Sequence, residues 1–168
     1  MKSLLNFEML LPIGILLLQT FVLVFLAMSV LKKLKLIRFP LDGLEHSHTI
    51  FTSAVLFAVI LLSTADVQAI FQSFKAYQNQ PIKIFQPFFT KTGQFFIVIL
   101  FFELLLTMII YLLTKIFLSF GKIIKEIEEG NISVSIVISI VVVGFSLLLK
   151  MMAAEMMEYI TPHFVNFR

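Results

Sequence analysis

Residues 93–114 read GQFFIVILFFELLLTMIIYLLT, 22 residues with a single charge, Glu103, in the eleventh place. Wound as a helix, a run of this length matches the ~30 Å hydrocarbon core of a bilayer. Three further apolar runs, residues 9–31, 49–65 and 132–149, carry no charge. Backbone amides and carbonyls find no water in lipid, so each run is expected to be one continuous helix. Together they predict an all-α integral membrane protein, a four-helix bundle.

Composition points the same way. Hydrophobic residues make up 60% of the chain and charged residues 14%, against ~25% charged in ordinary soluble domains. Mean hydropathy is +1.03. The net charge of +3 comes from lysines placed in the connectors. It reads as topology and lipid-headgroup contact, so membrane lipids are expected partners and nucleic acid is not. The chain has no cysteine, which excludes disulfides, thiolate metal sites and a cysteine nucleophile. The first run is longer than a signal-peptide core and ends in Lys32-Lys33-Leu34-Lys35, so it is expected to stay attached.

The order of segments suggests two copies of a helix pair: residues 1–74 and 92–168, joined by a linker at 75–91. Glu45 and His48 superpose on Glu128 and Asn131 at an offset of 83, and Thr20 falls on Glu103 at the same offset. Each half holds an even number of spans, so the two pairs should be parallel. Asn131 is the expected N-cap of the fourth helix, and Ser47 or Thr49 that of the second. Pro12 is expected in the first turn of its helix, with Pro40, Pro81, Pro87 and Pro162 in connectors or at the end of the last helix. Seven Lys/Arg in the two intra-pair connectors against five on the opposite side place the connectors in the cytoplasm and the termini outside.

The segment Glu128-Glu129-Gly130-Asn131-Ile132-Ser133-Val134-Ser135 resembles the repeat signature of YjfL-like bacterial membrane proteins, a family of tandem helix pairs and unknown function. The first copy departs from it, with His48 in the asparagine position. The resemblance implies a multi-pass protein of the bacterial inner membrane, often linked with envelope stress, and supplies no catalytic residues.

A charge at the midplane costs roughly 2.5–3.5 kcal/mol, so Glu103 must face the bundle, neutral or paired. Thr107, Tyr111 and Thr114 follow it at spacings of 4, 4 and 3, a polar stripe along one face. The stripe reads as a proton or cation relay, or as an acid hydrogen-bonded to Gln19 or Thr20 that holds the bundle in register; the second reading is preferred. Asp66 and Lys150 close the second and fourth runs at one depth and are expected to form a salt bridge, or else an ion-path mouth with Glu155 and Glu158. Ala54, Ala58, Ala65 and Ala69, and Ser135, Ser139, Ser146 and Lys150, form two small-residue seams of identical spacing, expected to pack helices together. Met152 and Met156 form Met-x-x-x-Met, which suits Cu(I), but methionine is a common filler of helix contacts. No metal site is expected there, nor at His46 and His48, and no cofactor. No nucleophile arrangement, phosphate loop or metalloprotease helix is present, so catalysis is not expected. The reading is a scaffold or subunit of an envelope-associated membrane complex, forming a homo-oligomer or binding other membrane subunits. The alternative is an oligomeric proton or ion channel or transporter using Glu103.

Overall fold

The computed structural model describes residues 2–34, 46–78, 85–114 and 122–161. They form six helices: α1 (Lys2–Lys33), α2 (His46–Ser63), α3 (Val67–Gln78), α4 (Phe85–Leu112), α5 (Lys122–Glu128) and α6 (Ile132–Ile160). Four stretches are long and apolar enough to cross a membrane: Leu10–Lys33, His46–Lys75, Phe88–Leu112 and Ile132–Ile160. The protein is an all-helical membrane protein of the four-helix class.

The most extensive contact joins α2 to α6. Ser47 Oγ donates to the Ile127 carbonyl just before α6 (2.6 Å), Ser146 Oγ to the Ala58 carbonyl (2.6 Å), and Lys150 Nζ to Thr64 Oγ1 (3.1 Å). These bonds climb both helices in the same sense, so α2 and α6 run in the same direction. α1 packs on α2 and α4 on α6, while α1 and α6 do not touch among the described residues. On α4 the side chains of Phe88, Phe95, Ile99, Leu106 and Ile110 are buried, while Ile97, Phe101, Leu104 and Met108 point outward. α1 likewise exposes Leu17, Leu18, Phe21 and Phe25. A soluble monomer rarely shows contiguous apolar surface of this extent; in a bilayer it is the lipid-facing side.

Several helix boundaries differ from those expected. The second span continues past residue 65: after a break at Thr64–Asp66 it resumes as α3, so helix covers 75–78 of the anticipated linker. Phe74 and Phe88, edge to face at 5.5 Å, join α3 to α4. α4 begins at Phe85, which puts Pro87 in a first helical turn instead of a connector, a position where proline is tolerated. Pro12 lies inside α1, not in its first turn, because the helix starts at Lys2. Membrane helices accept such prolines where neighbours satisfy the freed backbone. Lys150 sits within α6 and does not close it, since helix runs on to Ile160. Lys35, Arg38, Pro40, Glu45, Pro81, Lys83, Lys115, Pro162, His163 and Arg168 lie outside the described residues.

The turn between α5 and α6 explains why the signature carries Gly130-Asn131. Gly130 adopts φ 86, a conformation that glycine enters without steric cost. Its amide bonds the Ile127 carbonyl and the Asn131 amide bonds the Glu126 carbonyl, a Schellman closure of α5. Asn131 then caps α6, its Oδ1 accepting from the Val134 amide at 3.2 Å. Neither Ser47 nor Thr49 is the cap of α2, because the helix begins at His46 and holds both in its first turn. Gly130→Ala should destabilise the protein by about 1 kcal/mol, seen as a lower midpoint in reversible unfolding. An unchanged midpoint would deny this turn its role.

Candidate membrane-embedded acid site

The inward face of α1 is set by a four-residue spacing: Gln19, Leu23, Ala27 and Leu31 are all buried. Two acids from other helices meet this side of α1 at different heights. Asp66, at the break in the second span, is fully buried, and its Oδ2 accepts a hydrogen bond from Gln19 Nε2 at 2.5 Å. Its Oδ1 has no hydrogen-bond partner. Glu103, on α4, shares a cavity with Leu26, Ala27 and Val30 of α1, about two helical turns from Gln19. It is 3% exposed, and neither carboxyl oxygen has a partner among the described residues.

The expected bond from Glu103 to Gln19 or Thr20 is therefore not formed. The register of α1 carries Gln19 to the level of Asp66, and Thr20 is only half-buried. The expected Asp66–Lys150 salt bridge is likewise replaced: α2 turns Asp66 toward α1 and Thr64 toward α6, so Gln19 takes the acid and Thr64 takes the ammonium. Of the polar stripe on α4, Glu103, Thr107 and Thr114 are buried but Tyr111 faces outward, 38% exposed. Thr114 donates back to the Ile110 carbonyl at 2.7 Å. Beside Glu103 a cavity of about 290 Å³ opens between α1 and α4, lined by Leu26, Ala27, Val30, Leu100, Leu104 and Thr107 as well.

The break itself has a local cause. Ser63 Oγ and Thr64 Oγ1 donate to the carbonyls of Ile60 and Leu61, three residues back. Adjacent hydroxyls of this kind compete with the helical ladder and bend it. The amides of Ala65 and Val67 then bond Leu62 and Thr64, also three residues back, the second at a long 3.5 Å. The pair Ser63-Thr64 just before an acid was the signal in the sequence, and periodicity alone missed it.

The two small-residue seams lie on α2–α3 and α6, the helices of the central contact. Ala58, Ala65, Ala69, Ser135, Ser139 and Ser146 are buried, and Ala54 and Lys150 half-buried. His48 is buried with Nδ1 at 3.1 Å from Thr52 Oγ1, while His46 is exposed. Met151, Met152 and Met156 are exposed and Met157 is buried.

Because Gln19 is the one side chain among the described residues that bonds Asp66, Gln19→Leu should cost about 1.5 kcal/mol, near the upper end for hydrogen bonds between membrane helices. Reversible unfolding in mixed micelles measures it, and adding Asp66→Leu should recover most of the loss. Additive losses would mean that the two residues are not coupled. Comparison of the chain with protein-family models, curated proteins and solved structures finds no match.

Proposed function

We propose that the protein is a non-enzymatic, multi-pass subunit of the bacterial inner membrane that handles protons or small cations through its intramembrane acids. The observation that carries this reading is Glu103, 3% exposed with both carboxyl oxygens unpartnered. In hydrocarbon an acid without a partner is costly, and such residues mark ion and proton paths more often than structural posts. A bundle that needed Glu103 only for register would be expected to hold it with a fixed donor. Asp66, two turns along the inward side of α1 and also incompletely bonded, supplies a second station toward the other membrane face. The buried hydroxyls of Thr107 and Thr114 continue the line from Glu103 along α4.

The inner-membrane placement rests on the likeness to YjfL-like proteins, and periplasmic termini rest on the Lys/Arg bias. Two parallel repeats are supported by the common direction of α2 and α6, each flanked by the first span of its own half.

Reconstituted in liposomes, the wild-type protein should carry protons faster than Glu103→Leu, read with an entrapped pH dye. Equal flux would end the conduit reading. The second reading, a scaffold that gathers other membrane subunits, is favoured by Met151, Met152 and Met156, adaptable side chains that α6 exposes close together. Under that reading Glu103→Leu would lose partner chains or oligomer in a pull-down with no change in flux.

A further inference from the structure

We propose that the break between α2 and α3 is a binding site for a small monovalent cation, held by the Asp66 carboxylate. This deepens the ion-handling reading, and rests on that reading for its role, but the site itself stands on separate residues. The second span is discontinuous within a 30-residue apolar stretch. Interrupted membrane helices bind ions where a helix end and freed carbonyls meet a buried side chain. Here the C-terminal end of α2 contributes its negative dipole end. The Ser63 carbonyl loses its usual helical donor, because the Val67 amide turns to Thr64. Asp66 adds a fully buried carboxylate with Oδ1 unbonded, and Gln19 adds an amide whose oxygen or nitrogen can face the acid.

Charge accounting fixes the class. A single carboxylate balances one positive charge, and no cluster of three His, Cys, Asp or Glu exists among the described residues to hold a divalent ion. Lys150 does not fill the role, since its ammonium is engaged on the α6 side by Thr64. Acids line a neighbouring cavity as well. A cavity of about 140 Å³ between α3 and α6 reaches the break at Ala65, and its walls include Gln68, Gln72, Glu155 and Glu158. Two acids at this mouth raise the local concentration of cations.

The test is equilibrium binding of radioactive sodium to the purified full-length protein in detergent, with Asp66→Asn, Gln19→Leu, Lys150→Met and Glu103→Gln alongside. Wild type is expected to bind sodium saturably. Asp66→Asn should fall to background, and Gln19→Leu should weaken affinity about tenfold, as loss of an orienting neighbour does at ion sites. Proton flux in liposomes is read on Glu103→Gln in parallel, so that failure of the Glu103 conduit, seen as unchanged flux, and failure of this site, seen as absent sodium binding, are told apart. Sodium-dependent protection against thermal unfolding, compared with choline, gives a second readout for any variant that purifies poorly. No sodium bound by wild type, or equal binding by Asp66→Asn, would overturn the proposal. Binding that emerges only in Lys150→Met would overturn it too, by making the lysine the natural counter-ion.

Discussion

Glu103→Leu should make the protein more stable by about 1–3 kcal/mol, the scale of the cost of burying a polar group without a hydrogen bond, while it removes proton flux. The two effects have one origin. Glu103 has no hydrogen-bond partner to lose, so its replacement removes a desolvated polar group and breaks no contact. Leucine also fills more of the adjoining cavity, whose walls already include Leu26, Leu100 and Leu104. Stability gained as function is lost is the pattern of a site kept for its chemistry. Reversible unfolding in bicelles gives the first number and liposome flux the second. A destabilised Glu103→Leu would mean that the carboxyl holds the bundle together and would return it to the register-holding role.

Ala58→Phe should cost about 3 kcal/mol, the upper range for over-filling a packed interior. Ala58 is fully buried on α2, and its carbonyl accepts the Ser146 hydroxyl at 2.6 Å. That distance requires the two backbones to be close, and only a methyl fits between them. A phenyl ring there must push α6 off α2 along the principal contact of the bundle, and both Ser146–Ala58 and Lys150–Thr64 go with it. Ile140→Ala, on the opposite side of α6 and 67% exposed, should change stability little by comparison. Unfolding of the two variants under the same conditions decides the matter. A tolerated phenylalanine would show that the seam is not a tight contact in the membrane.

Much of this architecture is legible in the residues themselves. Four charge-poor runs announce four spans, because only a helix satisfies its own backbone in lipid. The Gly130-Asn131 pair announces a turn and a cap, since glycine accepts positive φ and asparagine accepts an amide bond. Partnerships between helices are another matter. Gln19, Asp66, Glu103 and Lys150 were all visible as intramembrane polar groups, yet who pairs with whom depends on the rotation and height of each helix. An apolar run fixes neither: every face of α1 is hydrophobic, so nothing in its pattern says that Gln19 stands level with Asp66 and not with Glu103. The break after Ser63 was hidden for a related reason. Its cause is a side-chain bond to the helix backbone, which leaves hydrophobic patterning unchanged.

The dominance of the α2–α6 contact has a consequence for how the chain is made. α6 leaves the ribosome only after α2, α3, α4 and α5, so α2 must wait in the lipid with its seam unmatched. Until then the nascent protein has the α1–α2 and α3–α4 contacts but no centre. A chain stopped before Ile132 would present that bare seam, with the Ala58 carbonyl and the Thr64 hydroxyl lacking Ser146 and Lys150, to membrane chaperones and proteases. Synthesis of α6 is thus the step that closes the seam of α2.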